Sequence, residues 1–118
     1  RFRNVTGVQT CALPISNMPA VARKSGSDSI STGHGCDATT VTDQGSSDVF
    51  VNSIGAVRAG DLCQVHLIPS GDSCVPHTVS LTSYSSTVFV NGKGIGRKGD
   101  EYSGHTLTSG SGNVFAGG

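Results

Sequence analysis

The residues of this chain best suited to chemistry are its four histidines: His34 in "TGHGC", His66 in "CQVH", His77 in "CVPH" and His105 in "SGHTL". Neutral imidazole is the commonest side-chain ligand for transition metals. A single histidine in a polar loop is usually only solvated, but four spread over successive segments become a metal set if the fold brings those segments together. Two ligand sets compete. The local one pairs Cys63-x-x-His66 with Cys74-x-x-His77, a spacing suited to a compact zinc knuckle. The distributed one takes His34, His66, His77 and His105, with Cys36, Cys63 and Cys74 as substitutes. The distributed set is preferred, because it alone ties all parts of the chain together.

Composition explains why such a tie is needed. The 118 residues include 17 glycines, no Trp, four Phe and two Tyr, so there is little apolar material for a core. A structural zinc closed by four N or S ligands supplies the missing staple, and iron is the other metal this set admits. The cysteines offer less. Setting Cys11 aside with the N-terminal segment leaves Cys36, Cys63 and Cys74, an odd number that cannot pair completely. A disulfide framework is not expected, although a single bridge such as Cys63 to Cys74 stays open. Burial as a small apolar residue is the plain alternative for each cysteine.

Residues 1–17 differ in character from the rest, with no Gly/Ser rhythm and no relation to the repeats below. A back-translation of "VTGVQTCALPI" looks like a common short-read library adapter, so this stretch reads as a sequencing scar outside the fold. Formal net charge is zero with no Lys/Arg run, which gives a nucleic-acid or anionic-membrane partner no electrostatic support. The apolar stretches are far too short for a membrane span, and no leader pattern is apparent.

The histidines are positioned by repeats. "SSDVFVNSIGAVRAGD" (Ser46–Asp61) recurs as "SSTVFVNGKGIGRKGD" (Ser85–Asp100). Each "VFVN" is β-branched and aromatic and runs into a turn, which predicts a short strand opening a hairpin. Asn91-Gly92 is a strong type I′ signal and Asn52-Ser53 a weaker one. Gly-Asp at the end of each unit marks a further turn. A third copy is split between the ends, with "AVARKSGSD" from Ala20 as its second half and "GNVFA" from Gly112 as its first. Three such units cannot bury their faces alone and must pack around one another. The expected fold is all-β and pseudo-threefold, with the histidine-bearing connectors converging at one end. "GIGRKG" (Gly94–Gly99) fits the dinucleotide G-x-G-x-x-G pattern, but a Gly-Asp turn follows it where a helix is required, so its glycines are hairpin glycines.

Taken together, "MPAVAR", "TGHGC", the "VFVN" hairpins ending in "RAGD" and "RKGD", and "GSGNVFAGG" resemble a PAAR-repeat protein over residues 18–118. The name-giving Pro-Ala-Ala-Arg tetrad is only approximated by Pro19-Ala20-Val21-Ala22-Arg23. The resemblance implies a small cone of three hairpin repeats that tips the central spike of a contractile phage tail baseplate or of a type VI secretion system. It implies a zinc near the apex held by three histidines and a cysteine, with His34, His66 and His77 at the histidine positions. The family cysteine follows the last Gly-Asp, where this chain has "EYSGH", so His105 is the nearest replacement.

The implied partner is a homotrimeric β-helical spike taking one cone per trimer. The base of the cone, around Val49, Val51, Val88, Val90 and Val114, would continue the β-helix, and the apex would make transient contact with the target envelope. The chain itself would be a monomer. Secretion-system members often carry a toxin or adaptor domain fused to the cone, so the expectation of a bare tip, with Gly118 directly after the third hairpin, favours the phage baseplate. Two other classes fit less well. A zinc hydrolase needs an open coordination position and a nearby carboxylate. A sugar- or receptor-binding module could use the Ser/Thr-rich connectors but lacks the aromatic residues that stack on sugars.

Overall fold

The computed structural model describes residues 18–118; the reading of residues 1–17 as a scar lies outside them. Ten short strands and no helix occur among the described residues: β1 (Ser29–Ser31), β2 (Thr39–Val41), β3 (Phe50–Val51), β4 (Ile54–Gly55), β5 (His66–Ser70), β6 (Ser73–His77), β7 (Phe89–Val90), β8 (Lys93–Gly94), β9 (Glu101–Tyr102) and β10 (His105–Leu107). The chain is all-β.

The two "VFVN" units form the hairpins β3–β4 and β7–β8. Asn91 and Gly92 both have positive φ, 54° and 75°, as a type I′ turn demands. Asn52 and Ser53 match them at 53° and 67°, so the weaker turn sequence is driven into the same conformation by its context. The third hairpin joins the two ends of the described chain. Ala20 bridges Phe115, the Val21 amide donates to the Val114 carbonyl, and the Ala116 amide donates to the Pro19 carbonyl.

The three units are related by a repeated set of backbone hydrogen bonds. The Val57 amide donates to the Ala22 carbonyl (3.1 Å), the Ala22 amide to Gly96 (2.9 Å) and the Gly96 amide to Val57 (2.8 Å), closing a ring. A second ring runs from Lys24 to Gly55, Ala59 to Gly94 and Lys98 to Ala20, at 2.9, 2.8 and 2.7 Å. Gly96 is glycine for lack of room, since a Cβ there would lie 2.8 Å from Leu81 Cδ2 and 3.0 Å from Val57 Cγ1.

Side chains repeat the same relation. Arg23, Arg58 and Arg97 each direct a backbone amide and a guanidinium at one carboxylate, Asp28, Asp61 and Asp100 respectively. Each Arg then reaches into a different unit. Arg23 donates to Asn52 Oδ1 and Arg58 to Asn91 Oδ1, while Arg97 donates to the Gly117 carbonyl. In the third unit a backbone oxygen thus replaces the missing Asn side chain. The hydrogen bonds to Asp28 and Asp61, helped by the carboxylate charge, raise the Arg23 and Arg58 guanidinium pKa values against the opposing pull of desolvation. The Gly-Asp residues therefore do more than turn the chain: they lock one repeat to the next.

The connectors are not plain loops. Each leaves a buried Asp and returns to a buried Ser: Asp28 to Ser46, Asp61 to Ser85 and Asp100 to Ser111. Each folds back on itself, as β1–β2, as β5–β6 extended by the Leu62–Ser80 bridge, and as β9–β10. Neighbours then join through β1–β10, through Thr42–Cys63, and through Thr82 and Ser83 amides donating to Glu101, so the six limbs close on themselves. Ile30, Cys63, Leu81, Tyr102 and Leu107 from different limbs fill the interior with Ala22 and Val57. The hairpin ends enclose a second cluster of Val21, Val51, Ala56, Val90, Ile95 and Ala116. Burying a side chain of this size contributes roughly 1.5–3 kcal/mol, so two small clusters make a modest core.

Candidate metal centre

His34 lies in the β1–β2 connector, His66 opens β5, His77 closes β6 and His105 opens β10. Three of the four are therefore strand residues. His66 and His77 are directly paired across their hairpin, and His105 shares the inward face of β10 with Leu107. His66 and His105 are each only 5% exposed. The ligand atoms of all four lie within 4.8 Å of one another, and the four residues could hold a metal ion.

Distances and proton accounting fit that chemistry. His34 Nε2 is 3.3 Å from His66 Nε2 and 3.1 Å from His105 Nε2, and the last two are 3.1 Å apart. Four nitrogens at 2.0–2.1 Å from a tetrahedral zinc stand about 3.3 Å apart. His34 Nδ1 faces the Gly35 carbonyl at 2.8 Å and His66 Nδ1 the Gln64 carbonyl at 3.0 Å. A carbonyl only accepts, so both rings carry their proton on Nδ1 and turn Nε2 lone pairs toward each other. One proton on His105 Nε2 can satisfy only one of these lone pairs; a cation satisfies them all. His77 Nε2 is buried with no hydrogen-bond partner, as is His105 Nδ1. Burial pushes the pKa values of His77 and His105 below the usual histidine range, and the neighbouring imidazoles push the same way. His77 and His105 are thus biased toward the neutral form that ligates metal.

The cysteines behave differently from the sequence expectation. Cys36 and Cys74 form a disulfide, with Cα atoms 6.0 Å apart, and Cys63 is free and buried. The bridge considered from sequence, Cys63 to Cys74, is therefore corrected. So are Cys36 and Cys74 as alternate ligands, since their sulfurs are bonded to each other. Cys63 faces the wrong side of His66: its sulfur is 4.0 Å from Nδ1, which is already committed to Gln64. The paired C-x-x-H knuckle does not form. Parity of the cysteine count cannot reveal a single bond between a loop and a distant strand.

At the hairpin end the proposed contact residues divide. Val49 and Val88 are 37% exposed, and Val114 is half-buried, whereas Val51 and Val90 lie in the core. Strand alternation is the reason, since it sends Val51 and Val90 inward and their neighbours outward. Phe50 and Phe89, each 58% exposed, take the outward positions. Neither protein-family models nor curated proteins give a match to this chain.

Proposed function

We propose that this chain is a PAAR-like spike tip: a small cone that caps the trimeric β-helical central spike of a contractile phage tail baseplate, or of a type VI secretion system. The observation that carries this reading is the closed ring of hydrogen bonds among Ala22, Val57 and Gly96, which makes one chain imitate a threefold object. A trimeric β-helix ends in three unpaired strand edges over an apolar core, a surface that needs covering. The exposed Val49, Phe50, Val88 and Phe89 supply apolar matter of the right kind at the hairpin end.

The opposite end is the point. There His34, His66, His77 and His105 hold one structural zinc, with iron the alternative, and keep Gly/Ser-rich turns from deforming under load. The metal supplies rigidity, not reaction chemistry. The clustered set contains only histidines and no carboxylate that could serve as a base, which favours a structural centre over a hydrolase.

Co-expression with a trimeric spike protein encoded in the same genome tests the proposal. Purified complexes should contain one copy of this chain per spike trimer. Phe50→Asp with Phe89→Asp should abolish the complex while leaving the melting temperature of the free chain nearly unchanged, because both side chains are solvent-exposed. A stable spike trimer that ignores the chain overturns the assignment.

A further inference from the structure

We propose that the Cys36–Cys74 disulfide is a redox latch on the histidine centre: forming it tightens metal binding, and bound metal in turn protects the bond. The proposal rests on the four histidines holding a metal. Cys36 stands two residues beyond His34, and Cys74 lies on β6, three residues before His77. β6 is paired with β5, where His66 stands opposite His77. One covalent bond therefore joins the segment bearing His34 to the hairpin bearing two other ligands.

Thr32 closes the His34 turn on itself, its amide donating to the Ala38 carbonyl and its hydroxyl to the Asp37 carbonyl, but without the disulfide little fixes that turn against the β5–β6 hairpin. Its remaining ties to the hairpin are the Asp37 amide donating to the Leu67 carbonyl and the Leu67 amide donating to Asp37 Oδ2, at an exposed rim. Gly33 and Cys36 both sit at left-handed φ, 74° and 64°, a conformation that Cys36 adopts only when its surroundings impose it. Reduction loosens the turn relative to the hairpin, and fixing His34 there again then opposes metal binding. Cys36 and Cys74 are both exposed, unlike Cys63, so small thiols and disulfides reach them.

The chemistry is thiol–disulfide exchange with a small-molecule disulfide such as oxidised glutathione. One cysteine sulfur attacks it and releases one glutathione thiol; the second cysteine sulfur displaces the other. Two protons and two electrons pass from the protein thiols to the small disulfide, giving two glutathione thiols and the Cys36–Cys74 bond. A chain made in a reducing compartment carries the open latch and closes it on entering an oxidising one.

Zinc competition against a chromogenic chelator, on the full chain, tests the coupling. The oxidised chain should bind zinc about tenfold more tightly than the phosphine-reduced chain, within the usual range of coupling between sites. The Cys36→Ser/Cys74→Ser variant should show the reduced-chain affinity in both buffers. A glutathione redox titration should show zinc favouring the disulfide by the same factor, because coupling is reciprocal. Equal affinities in the two redox states, or tighter binding when reduced, overturn the latch but leave the metal centre standing. No zinc binding in either state overturns both.

Discussion

His66 Nε2 and His105 Nε2 lie 3.1 Å apart although 39 residues separate them in the chain. With His66 Nδ1 bound to Gln64, this contact places a lone pair in a nearly dry site among four histidines that could bind a metal ion. Chelation should therefore destabilise the fold. At free zinc about a thousandfold above the dissociation constant, the metal adds about 4 kcal/mol, and EDTA should remove that increment. His66→Ala and His105→Ala should each abolish most of it, read as melting temperature with zinc against EDTA. A curve insensitive to zinc in the unaltered chain would contradict the reading.

The apo protein should also weaken in mild acid. Folding depresses the His77 and His105 pKa values, so on acidification the unfolded chain takes up protons near pH 6.5 before the folded chain does. Their contribution is intact above about pH 6.5 and declines as the pH falls toward the folded-state values. Urea titrations of apo protein at pH 7.5 and 5.5 check this, and the zinc-loaded protein should lose metal across the same interval. Equal stability at both values, with His77→Gln/His105→Gln behaving the same, would sink the prediction.

The hydrogen-bonded ring of Ala22, Val57 and Gly96 has no spare volume at Gly96. Gly96→Val pushes its side chain into Leu81 and Val57 and should cost about 2–3 kcal/mol in urea unfolding. Gly60→Ala, where nothing lies within 4 Å of the added carbon but φ is +85°, should cost less, about 1 kcal/mol.

Each Arg–Asp clamp joins two repeats. Asp61→Ala leaves the half-buried Arg58 with Asn91 Oδ1 and Gly45 O as its remaining acceptors, and should destabilise by about 3 kcal/mol. Asp72→Ala, in the exposed β5–β6 turn, should stay within about 0.5 kcal/mol. Equal effects of the two substitutions would remove the clamps from the account.

Much of this architecture was legible in the sequence, for physical reasons. "VFVN" with Asn-Gly carries both strand propensity and turn chemistry, and the matching Arg and Asp residues of three units revealed the split third copy. The four histidines were identifiable because each connector carries at least one and the repeat units carry none. The connector strands were hidden: "SIS" and "TTV" are too short and too polar to show a period, and their pairing comes from neighbouring limbs. The inward turn of Val51 and Val90 was misjudged because adjacent valines and phenylalanines are all apolar, so only their pairing register reveals which face is buried. The Cys36–Cys74 bond depends on the approach of a loop to β6, which no spacing encodes.

X-ray absorption at the zinc edge, on protein purified in its metal-loaded form, tests the central claim most directly. One zinc per chain with four nitrogen neighbours at about 2.0 Å and no sulfur is the predicted result. Sulfur in the first coordination sphere, or three nitrogens with an exchangeable water, would contradict a closed four-histidine centre.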